Sequence, residues 1–241
     1  GVPNTLFRLD NDTQYAVVEM GMDHLGEIER LARCARPSAG IITMIGVSHL
    51  ENLGTRENIL KAKMEICAGL PDGAPLALNA DNDLLPTASV PARLRPVWFG
   101  IESKTADVRA ADVHTGTEGT TFTLVDKAYG SFAVSIPTAG LHTVYDALAA
   151  YAAATRLGLD PARCAAALSR YQTTGMRQHI VEKGGITFIE DCYNASPDSM
   201  KAALSVLKAL PNARKIALLG DMLELGDASE SGHRETGEWA A

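Results

Sequence analysis

No excess of positive charge marks this chain of 241 residues: 22 Lys and Arg stand against 29 Asp and Glu, a formal net charge of -7. Without a basic stripe the sequence argues against a nucleic-acid partner. A locally basic pocket for a small anion stays open. The four cysteines, Cys34, Cys67, Cys164 and Cys192, form no C-x-x-C pair. They read as reduced thiols of a cytoplasmic protein. No apolar stretch reaches the roughly 20 residues that a membrane span needs. No signal peptide opens the chain, which starts at Gly1-Val2-Pro3; that start is expected to be a fragment boundary. Nor is there a G-x-x-x-x-G-K-[ST] anywhere. The chain as written has none of the glycine loop and lysine with which a phosphoryl-transferring enzyme usually cradles phosphates.

What is present is ordinary for a globular protein, with 46% hydrophobic and 21% charged residues. The length allows one large domain or two modest ones. Short apolar runs alternate with helical patterns in the first half. Tyr15 to Met20 reads as a buried strand ending in Glu19, and Gly40 to Ile45 and Pro75 to Asn79 as two more. Leu25 to Ala35 and Asn58 to Leu70 read as the helices between them. Such alternation predicts an α/β fold, a parallel sheet with helices on its faces. From about Val97 to Pro137 short strands and glycine-rich turns predict a small antiparallel meander. The helices His142–Leu157 and Pro161–Arg170 follow. A boundary falls near Thr173-Thr174-Gly175, giving domains 1–174 and 175–241. Beyond it a βαβ pattern restarts with strands at Gly185–Asp191 and Lys215–Leu219. Between them Ser196 caps a helix that opens on Pro197. The second domain reads as a partial Rossmann-like α/β unit, with the chain stopping inside a further helix.

Parallel sheets bind ligands at the carboxyl ends of their strands. Glu19, His49 and Lys63 fall there or on the next helix. A carboxylate and an imidazole make a plausible divalent-metal pair. An ammonium, having no lone pair, does not ligate metal. Each residue also has a plain alternative, as a capping carboxylate, a structural histidine or a solvated lysine. Asp191, followed by Tyr193-Asn194 and the Ser196-Pro197 helix start, suits a ribose hydroxyl or an anion. Helix capping explains Ser196 and Pro197 equally well. The turn Gly220-Asp221-Met222-Leu223-Glu224-Leu225-Gly226 is a third acidic turn after a strand, open to either reading.

Several stretches run in order from end to end. They are Val18-Glu19-Met20-Gly21, Ser48-His49-Leu50-Glu51, Ala62-Lys63-Met64-Glu65, Gly140-Leu141-His142, Gly175-Met176-Arg177, Asp191 to Met200, and Gly220 to Gly226 with His233. Together they resemble the Mur ligase family over the whole chain, and within it the D-alanyl-D-alanine-adding type. The resemblance implies an ATP-dependent amide-bond ligase of peptidoglycan precursor synthesis, acting on UDP-N-acetylmuramoyl-tripeptide and D-Ala-D-Ala through an acyl phosphate. It implies a monomer working in the cytoplasm. It implies magnesium (Mg2+) held by Glu19, His49 and Lys63, the lysine as its carbamate and hence an anion. Arg177 and Asp191 would meet the nucleotide's phosphate and ribose, and Asn194, Ser196, His142 and Asp146 would lie around nucleotide or substrate. The chain departs from the family's usual T-N-I-G at Thr43-Met44-Ile45-Gly46 and from its H-N-x-x-N at His142 to Asp146. A sister ligase with another amino-acid substrate, or a non-catalytic nucleotide-binding module, is the alternative. The resemblance also implies that the substrate-binding domain and phosphate loop precede Gly1, so that the chain by itself is inactive.

Overall fold

A computed structural model describes residues 1–116, 119–211 and 214–241. After the single-turn helix α1 (Val2–Leu6) the chain runs without regular structure to α2 (Glu27–Ala35). Gly26, at φ 88°, and Arg36, at φ 45°, bracket α2 with left-handed residues. Its first turn carries Glu27 and Glu29 and its last Arg33, the polarity a helix dipole favours. Ile28 and Ala32 form its buried face. Then come β1 (Gly40–Ile42), the short α3 (Leu50–Leu53) and α4 (Arg56–Met64). Thr55 caps α4 by accepting from the Asn58 N–H. The expected second helix thus begins earlier than Asn58, and it tightens into a 3-10 turn over Glu65–Gly69. Gly69 has to be glycine, since a Cβ there would lie 2.2 Å from the Ala32 carbonyl oxygen.

The sheet continues with β2 (Pro75–Asn79), β3 (Arg95–Gly100), β4 (Val108–Gly116), β5 (Gly119–Asp126) and β6 (Gly130–Ile136). The strands lie in sequence order, β1 to β4 parallel and β4 to β6 antiparallel. Ile41 sits opposite Ala77, and Ala77 opposite Val97. All five residues of β2 are buried, as befits a parallel strand covered on both faces. The expected α/β class, a parallel sheet joined to an antiparallel section, is what the chain adopts.

Helix α5 (Leu141–Arg156) covers one face. Val144, Leu148, Tyr151 and Ala152 pack there with Phe99, Val108, Leu124 and Ile136. The other face carries Ile28, Ile59, Leu76, Leu78 and Leu85. Asp126 of β5 is buried and receives both terminal nitrogens of Arg156, at 2.7 and 3.0 Å. This fork ties the antiparallel section to the end of α5. Helix α6 (Pro161–Ala167) follows, capped by Asp160.

Three expectations need correcting at the level of elements. Tyr15–Met20 is neither strand nor buried: Val17 is 95% exposed, and no strand among the described residues pairs with it. An apolar run becomes a strand only where a neighbouring backbone takes its N–H and C=O groups. Beyond 175, β7 (His179–Lys183) and β8 (Ile186–Glu190) form an antiparallel hairpin rather than the start of a parallel unit. Lys215–Leu219 follows α7 (Pro197–Ala209) without regular structure or a paired strand among the described residues, before α8 (Ser229–Ala240). The α7 start is as expected. Ser196 and Ser199 close a reciprocal capping box. Its buried residues are Pro197 and Val206.

Candidate functional site

The loops leaving the carboxyl ends of β1 to β3 carry a group of polar side chains that hold each other and the neighbouring backbone. The loop after β1 is pinned at Ile45, whose carbonyl accepts from Arg56 Nη2 at 2.7 Å and from Asn82 Nδ2 at 3.3 Å. Arg56 also forks onto Asp83, with both contacts at 2.6 Å. That pairing holds the guanidinium above its ordinary pKa and the carboxyl below its own. Asp81, just past β2, accepts from the backbone N–H of Ile101 at 2.6 Å, Glu102 at 2.8 Å and Ser103 at 2.7 Å. The Tyr145 hydroxyl adds a fourth donor at 2.9 Å. Burial alone would raise the Asp81 pKa; the donors outweigh it and bring it below the ordinary value. One carboxylate thus locks β2, the exit of β3 and α5 together.

The pinned loop delivers His49 to the start of α3 in a left-handed conformation, φ 66°. Its Nδ1 lies 2.9 Å from Asp23 Oδ1 and 2.8 Å from Glu224 Oε2. Neither oxygen is aligned with the ring N–H, and the nitrogen itself is buried without an aligned partner. Among the described residues, Asp23, His49 and Glu224 are the set of histidine and carboxylate groups whose ligand atoms gather within 4.8 Å. Two carboxylate oxygens stand against a ring nitrogen that hydrogen-bonds to neither, a gathering of negative charge that favours a positive ion among them. A nitrogen-and-oxygen set of this kind suits a divalent cation.

Lys63 donates from Nζ to the Met44 carbonyl at 3.1 Å, in the same loop after β1. Burial pulls its amine below the usual lysine pKa. The structure therefore brings His49 and Lys63 to one loop. Glu19 is exposed in the unpaired segment before α2 and is not part of the gathered set. Sequence reasoning missed Asp23 and Glu224 as partners of His49. Both lie within or beside motifs it singled out, but nothing in the spacing says that a turn so distant in sequence returns to α3.

The other expected residues are not part of this gathered set. Arg177 stacks its guanidinium 4.4 Å above the Tyr193 ring. Asp191 is exposed. Asn194 Oδ1 accepts from the next backbone N–H, that of Ala195, at 2.9 Å. The Ser196 hydroxyl is engaged in capping α7. His142 and Asp146 lie in the first turns of α5. Crowding by protein raises the Asp146 pKa, with His142 drawing it back. In the third acidic turn Asp221 pairs with His233 at 2.6 Å. The Ser229 carbonyl, then Asp221, raises the His233 pKa.

Comparison with known proteins places these features in a family. Residues 1–154 match the family description "Mur ligase middle domain", and residues 176–241 match "Mur ligase, glutamate ligase domain". The UDP-N-acetylmuramoyl-tripeptide--D-alanyl-D-alanine ligase of Bacillus subtilis is 41% identical over 98% of this chain and 51% of its own length. The ligase of the same name from Escherichia coli is 37% identical over 100% of the chain and 53% of its own length. MurF from Acinetobacter baumannii superposes with a TM-score of 0.89 at 32% identity, covering 98% of this chain and 51% of that one. MurF of Thermotoga maritima, solved in complex with ADP, gives 0.81 at 28% identity, over 94% of this chain and 53% of that one. The chain spans about half the length of the curated relatives it matches.

Proposed function

The chain belongs to the Mur ligase family, and from that membership we propose that the protein is an ATP-dependent ligase joining D-alanyl-D-alanine to a UDP-N-acetylmuramoyl-tripeptide in cell-wall precursor synthesis. The observation that carries this reading is the match of nearly the whole chain, at 41% and 37% identity, to two relatives bearing that one activity in their names. In this reading the tripeptide carboxylate attacks the γ-phosphate of ATP to form an acyl phosphate. The amine of the dipeptide then attacks that carbonyl and expels phosphate. The domain boundary at 174/175 belongs to the same proposal, as do a monomeric state and a cytoplasmic setting. Among the described residues no helix is long and apolar enough to cross a membrane.

Glu19, His49 and Lys63 are the residues proposed to hold magnesium. When bound, the ion offsets the negative charge that develops on a transferred phosphoryl group. His49 suits the role because its Nδ1 is buried and faced by two carboxylates. Lys63 suits it because burial moves its amine toward the neutral form. Only a neutral amine has the lone pair to take up carbon dioxide and become a carbamate. For Glu19 the support is the family motif alone. Arg177 and Asp191 are proposed to reach the nucleotide's phosphate and ribose, with Asn194, His142 and Asp146 around them. Ser196 contributes by starting α7, its hydroxyl being taken by the cap.

Mass spectrometry of products formed by the full-length protein tests the reading. D-Ala-D-Ala, ATP and UDP-N-acetylmuramoyl-tripeptide should give a pentapeptide product with one ADP and one phosphate. A product with single amino acids but none with the dipeptide would replace this ligase by a sister one. Lys63→Ala should lose activity that bicarbonate or short carboxylates partly restore. Full activity in that variant would remove the carbamate.

A further inference from the structure

His49 is approached by carboxylates from two parts of the chain. Asp23 comes from the segment just before α2, and Glu224 from the turn before α8, beyond the proposed domain boundary. Glu224 does not come alone. The carbonyl of the same residue accepts the Glu51 N–H at 3.3 Å, one residue into α3. Two residues on, Gly226 packs so closely that a Cβ would stand 3.1 Å from Glu51 Cα. Glu224 itself has φ 63°, a conformation that a residue with a Cβ adopts rarely and that surrounding contacts have to maintain. The backbone of 224–226 is thus seated on the first turn of α3, and its carboxylate is aimed at His49.

Negative charge gathers at that point. Two anionic oxygens lie within 3 Å of one ring nitrogen that hydrogen-bonds to neither. The same three atoms attract a divalent ion together. We propose that Glu224 couples the seating of the C-terminal segment on α3 to the uptake of a divalent cation at His49. With the segment seated, the cation meets a second carboxylate; with it lifted away, it meets one fewer. Linkage makes the effect reciprocal: the factor by which seating tightens the cation is the factor by which the cation favours seating. Arg177 and Asp191, proposed to meet the nucleotide, lie on the same side of the proposed domain boundary as Glu224. This inference rests on the assignment of His49 as a cation-holding residue.

Manganese serves as the probe, titrated into the full-length protein and followed by electron paramagnetic resonance. Glu224→Gln removes the charge and keeps the shape. Glu224→Asn shortens the side chain and tolerates the positive φ, so weak binding in both cannot be attributed to backbone strain. Both should bind Mn2+ about 10–100-fold more weakly than the unaltered protein, the range for losing a carboxylate that supports a metal-holding histidine. Amide exchange at Glu51 should slow on adding Mn2+ in the unaltered protein and stay unchanged in Glu224→Gln. His49→Ala separates the two layers of the argument. Weakened binding in His49→Ala with unaltered affinity in both Glu224 variants overturns the coupling and leaves the cation assignment standing. Unaltered affinity in His49→Ala as well overturns the assignment, and the coupling with it.

Discussion

Leu76-Ala77-Leu78 in β2 and Ala217-Leu218-Leu219 before the last acidic turn are nearly the same peptide, and they meet opposite fates. Leu78 is fully buried, whereas Leu218 is 95% exposed. β2 has β1 and β3 hydrogen-bonded on either side. The Ala217 run has no paired strand among the described residues. Hydropathy nominates a segment for the interior, but a layer on each face and a backbone on each edge decide whether it gets there. The contrast extends to the regions around them. Residues from β1 to α6 share two continuous apolar clusters. The β7–β8 hairpin has no fully buried residue, with only Val181, Thr187 and Ile189 partly covered. Among the described residues its two strands pair with each other alone.

The sharpest way to break this comparison is to remove a side chain from the well-layered region. Phe99 of β3 is fully buried in the cluster under α5. Phe99→Ala should cost about 3–5 kcal/mol, the lost transfer energy plus the cavity it leaves. Urea unfolding at neutral pH measures it. A cost below about 1 kcal/mol would mean that this region is no better organised than the hairpin.

Asp81 gives a smaller effect with a pH signature. Its carboxylate is stabilised in the folded chain and its pKa lies below the ordinary aspartate value. A carboxyl depressed by folding contributes fully above its unfolded pKa, and the contribution fades as pH falls through the folded one. Asp81→Asn should therefore cost about 1–3 kcal/mol at neutral pH, by weakening bonds to three backbone donors and Tyr145. It should cost less as the solution is acidified below the usual aspartate range. A cost that does not change over that acid window would mean that the carboxylate charge is not what joins β2, β3 and α5.

How legible all this was differs between the same two regions. Period and punctuation marked β2, α5, α6 and the Ser196 cap of α7, because local chemistry specifies each of them. The α/β class followed from the alternation of elements. Tyr15–Met20 and Lys215–Leu219 misled because their patterns are those of strands, and a pattern carries no information on whether an edge is there to receive it. The site divides likewise. His49 and Lys63 could be placed from their positions after β1 and on α4. The contacts of His49 with Asp23 and Glu224 could not. The first depends on how the unpaired segment before α2 is laid down, and the second on the turn of three residues at 224–226 lying against α3, a tertiary fact with no local signal beyond the Gly226 that permits the approach.

The smallest expected effect tests the exposed side of the comparison directly. Leu218→Gln removes a large apolar side chain from a run that sequence alone would bury. At 95% exposure the side chain gives up almost no buried area, and the change stays within about 0.5 kcal/mol. The same urea experiment used for Phe99→Ala reads it. A loss of about 2 kcal/mol or more would show that Leu218 is covered in solution, by a strand or surface that pairs with residues 215–219. The two runs would then differ in their partners and no longer in their exposure. A value near zero would leave Leu78 and Leu218 as one chemical group in two environments, with neighbouring strands accounting for the difference.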